Sequence, residues 1–226
     1  MLSWAKLRPF LSVSRDLFLR TLVLMVAMAA LTRLGAERCA VVRAANGILY
    51  QLFVLTALIL DGFENAAQVL NGERYGEKDP AGFQRYTWAI LARGMVLAVF
   101  VSIGFALLAG PILGSFAATD AVYAAAERQE YWLIVLPLAG VASFVFDGVF
   151  VGASWTRALL LSMAGAAAIY ALLLWLTWPL GNTGLWLSFS LFLIARAALQ
   201  ALMIPSLVRR TLPPRTAAQQ TEPGGM

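Results

Sequence analysis

The 226-residue chain has no histidine and one cysteine, and only 13% of its residues are charged. Without histidine, His-ligated zinc, His-based nucleophilic triads and imidazole proton relays are excluded, so proton or cation work falls to carboxylates. The lone Cys39 makes neither an internal disulfide nor a CxxC pair, which sets redox chemistry aside and leaves a small packing residue near a helix end. The charged fraction is about half the roughly 25% of a soluble domain. What fills the space is apolar: 61% of the residues, against about 45–50% in soluble proteins.

The apolar residues fall into six runs, about Leu17 to Leu34, Ala44 to Leu70, Trp88 to Ala109, Tyr131 to Ala153, Ala158 to Trp178 and Gly184 to Val208. Each approaches or exceeds the roughly 20 residues that cross a hydrocarbon core about 30 Å thick. Period-two alternation is absent, which argues against a barrel. The first run is too long for a signal peptide, carries Arg20 and is followed by RLGAER rather than a cleavage site, so it reads as a retained helix. The fold class is therefore an all-α integral membrane protein, one six-helix bundle over 17–208, with a segment at 1–16 and a tail at 209–226 outside it.

Orientation follows from the basic residues. Lys6, Arg8, Arg15, Arg74, Lys78, Arg85, Arg157, Arg209, Arg210 and Arg215 lie on the side of the termini, against Arg33, Arg38, Arg43 and Arg128 on the other. This bias places both termini in the cytoplasm, and it explains the net charge of +5 by topology rather than by nucleic acid. Trp88, Trp132, Trp155, Trp175, Trp178 and Trp186 sit near run ends, where an amphipathic ring prefers the headgroup layer. Asn71 to Arg85 reads as a polar loop, and Pro213 to Met226 as a disordered tail.

Charges within such runs cost about 2.5–3.5 kcal/mol on insertion scales and call for a partner, a wet cavity or a function. Asp61, Asn65 and Gln68 form a polar stripe on the second run, with Glu64 extending it towards water. Asp147 follows Pro137 by ten residues and shares a face with Ser143 and Ser154. Arg196 lies midway along the last run, about 20 Å from Arg209, too deep to snorkel. Asp61, Asp147 and Arg196 can meet at one depth, as an ion site or as a structural pair. Arg20 reads as an interfacial residue of the first helical turn, and Asn182 as a helix start. Gly148 and Gly152 have the spacing of close helix packing. Phe144, Phe146, Tyr50 and Phe53 offer faces to an organic cation, although core or lipid packing is the commoner use of such rings.

The strings SRDLFLRTL (Ser14 to Leu22), RAANGILYQLF (Arg43 to Phe53), DGFENAAQ (Asp61 to Gln68), YWLIVLPLAGVASFVFDGVFVGAS (Tyr131 to Ser154) and GNTGLW (Gly181 to Trp186) resemble the second half of a multidrug and toxic compound extrusion (MATE) transporter, most of all its DinF-like branch. The resemblance implies two six-helix lobes exchanging cationic or amphipathic compounds for protons or sodium across the bacterial inner membrane, with no other cofactor. This chain would supply the C-terminal lobe and work with a second one, a separate chain or a second copy. By position, Asp147 matches the acidic residue linked to cation coupling, Asp61 the start of a DGFANAAE-like stretch, and Arg196 an arginine of the last helix. Asn46 matches the Asn of a LAAN-like motif and Asn182 that of GNxGLW. Glu64 stands for a usual alanine, Gln68 for a glutamate and Ser14 for an asparagine, while Ala158 stands where an acidic residue is common.

The expected coupling residues are Asp147 and Asp61, with Arg196, Asn65, Gln68, Asn46 and Glu64 as polar groups of the cavity. Three other readings compete with an antiporter half. A lipid-linked flippase needs more cavity cations than Arg196. A membrane aspartyl protease could use Asp61 and Asp147 but lacks the GxGD signature. An inactive fragment or accessory subunit is the third.

Overall fold

The computed structural model describes residues 4–36 and 39–212, with side chains over 11–35 and 39–212. Helix follows helix: α1 (Trp4–Ala36), α2 (Ala40–Gly76), α3 (Pro80–Phe116), a short α4 (Asp120–Glu127), α5 (Tyr131–Gly152), α6 (Thr156–Leu176), a 3₁₀ turn at Trp178–Leu180, and α7 (Gly181–Thr211). No strand occurs among the described residues. All but α4 are long and apolar enough to cross a membrane, making six candidate spans. The Lys6 and Arg8 side chains, Arg38, and 213–226 with Arg215 lie outside the described residues.

Several helices outrun the apolar stretches that announce them. α1 begins at Trp4, so the limit expected at 16/17 falls inside a continuous helix, and the limit at 209 falls within α7. α2 and α3 each have 37 residues, about 55 Å at 1.5 Å per residue. The expected loop from Asn71 to Arg85 shrinks to Glu77–Asp79, because hydropathy reports contact with lipid and not the end of a helix. Asn71 is buried in α2, where it accepts from the Thr87 hydroxyl of α3 at 2.9 Å. The turn is closed by Lys78 at φ 54 and by Asp79, whose carboxylate accepts the Gly82 N–H at 2.9 Å, with Pro80 at the first helical position. α3 likewise continues through Pro111 to Phe116.

α5 is the central post, packed on α2, α3 and α7; 67% of its most apolar stretch is buried, against 11% for α1. It runs unbroken through Pro137, and the buried Ser102 hydroxyl of α3 donates to the Ile134 carbonyl at 2.8 Å, in the turn where proline weakens the helix's own bonding. α2 and α5 meet backbone to backbone. A β-carbon at Gly148 would run into the Glu64 carbonyl and one at Gly152 into the Gln68 carbonyl, while one at Gly72 would stand 3.2 Å from the Gly152 carbonyl. The small-residue spacing thus serves close packing.

The tryptophans divide. Trp88, Trp175 and Trp178 are exposed, but Trp132, Trp155 and Trp186 are core residues. Trp155 joins Tyr75, Phe83 and Phe150 in an aromatic cluster that ties the α2–α3 turn to the start of α6. Cys39 precedes α2 but is exposed, so it does no packing.

Candidate functional site

Four helices bring their polar residues to one cavity of about 340 Å³. α1 lines it with Arg20, Leu24 and Met28, spaced by four along one face, and α2 with Phe53, Asp61, Glu64 and Asn65. Phe144 and Asp147 enter from α5, and Leu193 and Arg196 from α7. The helical repeat places such spacings on a single side of each helix.

Asp147 is the hub, with none of its side chain exposed. Its Oδ2 pairs with both Arg20 and Arg196, and its Oδ1 accepts from the Gln200 amide of α7 at 2.5 Å. Arg196 is 3% exposed and lies over the Phe192 ring, 5.7 Å from its centroid. Glu64 stands 4.0 Å from the Arg20 guanidinium, so Arg20 faces two carboxylates on two helices. The Nε atoms of Arg20 and Arg196 and the Gln200 Oε1 are buried without partners among the described residues. A charged cluster that leaves polar atoms unmatched is one whose energy a proton, water or ligand can change.

The structure joins Asp61, Glu64, Asn65, Asp147 and Arg196. Asp61 is half-buried and makes no ion pair among the described residues, and the Asn65 amide donates to the Asp61 carbonyl at 2.9 Å. Gln68 is exposed and does not line the cavity, because seven residues from Asp61 carry it beyond the cavity's end. The Ser143 hydroxyl turns back to the Gly140 carbonyl at 2.8 Å. Ser154 lies past the end of α5 at φ 56, so it shares no face with Asp147. Of the aromatics, Phe53 and Phe144 line this cavity, Tyr50 lines another, and Phe146 packs on Trp88.

Asn46 belongs to a second node, about 22 Å from Asp61 by helix rise. Its amide donates to Asn182 Oδ1 at 2.8 Å, and the Asn182 amide donates to Asn46 Oδ1 at 2.9 Å. The Trp186 indole N–H reaches the same Oδ1 at 3.0 Å. Asn182 does start a helix, but it also closes this reciprocal pair between α2 and α7. Asn46 borders a separate, mostly apolar cavity of about 240 Å³ with Leu31, Arg43, Tyr50 and Trp186.

Arg20 is the site residue that sequence reasoning misplaced. It is the seventeenth residue of α1 and no part of its first turn. The spacing Arg20, Leu24, Met28 was the available signal, and an early helix start was the missing piece.

Comparisons with known proteins agree on the relationship. A family model, MatE, matches residues 15–176. The chain is 34% identical over 204 residues to DNA damage-inducible protein F of Escherichia coli, covering 90% of this chain and 43% of that protein. It is 30% identical to Protein DETOXIFICATION 43 of Arabidopsis thaliana, over 77% of this chain and 32% of that one. Among solved structures, a MOP superfamily transporter from Pyrococcus furiosus aligns with a TM-score of 0.75 at 15% identity, over 96% of this chain and 48% of that chain. The chain spans less than half the length of each of these relatives.

Proposed function

The chain belongs to the MatE family, and from that premise we propose that it forms half of an antiporter exporting small cationic or amphipathic organic compounds against an inward flow of protons. The observation that carries this reading is Asp147: a fully buried carboxylate held by two arginines of different helices, on the wall of a cavity that also presents Asp61, Glu64 and two phenylalanine rings. An intramembrane ionisable cluster facing a cavity, rather than lipid, is the usual form of an ion or proton pathway.

A proton taken up by one of the three carboxylates changes how many anions face Arg20 and Arg196. Arg20 is an ionic tie of α1 to α5, so that part of the hold on α1 follows the cavity's charge. A cationic substrate draws on the same carboxylates, and its exchange with protons then favours alternate arrangements of the helices. At Asp147 a proton suits better than sodium, since both its oxygens already accept from cationic or amide donors and a hard cation needs free oxygen ligands. Support for a second six-helix lobe comes from the relatives, which are more than twice as long. Both termini face the cytoplasm, on the basic bias of their side.

The test is efflux of a fluorescent organic cation, ethidium, from cells expressing this chain with a complementary lobe, with proton movement followed in the same vesicles. Asp147→Asn abolishes both fluxes, and Asp147→Glu restores part of them. Unchanged efflux in Asp147→Asn overturns the reading.

A further inference from the structure

One charged side chain within the span takes part in neither cavity. Arg93, on α3, is exposed and has no hydrogen bond, ion pair or ring contact among the described residues. Its depth is fixed by its neighbour. A β-carbon at Gly94 would stand 3.0 Å from Val141, and Val141 is the eleventh of the 22 residues of α5. Arg93 therefore starts near the middle of the bundle, on its outer surface.

The stripe around it has a definite chemistry. Arg85 and Trp88 precede Arg93 on the exposed side of α3, and Val96, Phe100, Ile103 and Leu107, each at least half exposed, follow it. α3 contains no aspartate or glutamate. Cα–Cβ bonds lean towards a helix's N-terminus, so the long Arg93 side chain reaches back towards the level of Arg85, and its stem crosses the apolar layer while its head seeks the polar one. Trp88 stands edge-on to the Phe146 ring of α5, 6.4 Å between centroids, on the flank of the stripe. Arg85 stands over the Tyr86 ring, 5.6 Å from its centroid.

We propose that this stripe is a binding site for an anionic phospholipid. The phosphate sits between Arg93 and Arg85, and an acyl chain lies along Val96, Phe100 and Ile103. Guanidinium groups recognise phosphate oxygens by charge-assisted, often paired hydrogen bonds. A membrane helix bearing a carboxylate is the rival occupant, but closely docked helices meet through small residues. In α3 the small residues Gly94, Ala98 and Ser102 are buried against the bundle, while the outward stripe is bulky. The inference is independent of what the cavity transports.

The experiment is native mass spectrometry of the detergent-solubilised chain with equal amounts of phosphatidylglycerol and phosphatidylcholine. The wild type retains phosphatidylglycerol preferentially. Arg93→Gln weakens that retention about tenfold, as expected for loss of a charge-assisted contact, and Arg85→Gln weakens it less. Arg93→Lys keeps most of it, and Arg128→Gln, at the other end of the bundle, changes nothing. A photoreactive phenylalanine analogue at Val96 gives a lipid adduct in cells. Undiminished retention in both Arg85→Gln and Arg93→Gln overturns the proposal, as does a protein adduct at Val96.

Discussion

The two polar nodes of the bundle lie on some of the same helices and obey opposite rules. At the α4 end, Asn46 and Asn182 each give and receive one hydrogen bond, and Trp186 adds a third. Amides carry donor and acceptor together, so the pair closes on itself and is indifferent to pH. Around Asp147, two guanidiniums and an amide converge on one carboxylate, while the Nε–H donors of both arginines and the Gln200 amide oxygen stay unmatched. The neutral node fixes α7 to α2. The charged node adds to the apolar packing of α7 on α5 and ties α1 to α5 by ion pairs whose strength depends on the distribution of protons and charges.

Three substitutions sharpen that contrast. Asp147→Ala has the largest effect, since it leaves two buried guanidiniums without their anion; a loss of about 3–5 kcal/mol is expected. Thermal unfolding in detergent measures it, and Asp147→Ala combined with Arg196→Met recovers part of the stability but none of the transport. Full additivity of that pair would deny the coupling. Asn46→Ala strands the Asn182 amide and the Trp186 N–H and costs about 1–3 kcal/mol. Its loss stays constant across pH, and the double change Asn46→Ala with Asn182→Ala costs less than the two single losses summed. A pH-dependent loss would remove the distinction between the nodes. Glu64→Gln is the mildest, under about 1 kcal/mol, because the pair is partly exposed and its groups stand 4.0 Å apart. It nevertheless alters the pH dependence of ethidium efflux, and an unaltered profile would take Glu64 out of the cycle.

The six spans, the family and the meeting of Asp147 with Arg196 were legible because each rests on a strong one-dimensional signal: a long apolar run, an ordered set of motifs, or a charge where charge is costly. Arg20 was not, because Lys6, Arg8, Arg15 and Asp16 lower the hydropathy ahead of Leu17 and hide thirteen helical residues. Arg93 escaped notice within an otherwise apolar run. Residue type alone sends Asn71, Trp132, Trp155 and Trp186 to water or to headgroups, whereas their neighbours in the fold bury them. Asn46 and Asn182 are 136 positions apart, and no local pattern announces such a pair.

At Gly148 and Gly152 there are no side chains between the helices, and the α2 and α5 backbones pack directly on one another. α2 and α5 therefore behave mechanically as one plank, with Glu64 and Asp147 nailed to it at a fixed separation. α1, the least buried of the spans, packs chiefly on α6 and is tied to the plank by the guanidinium of Arg20, so a change of charge in the cavity bears first on that helix.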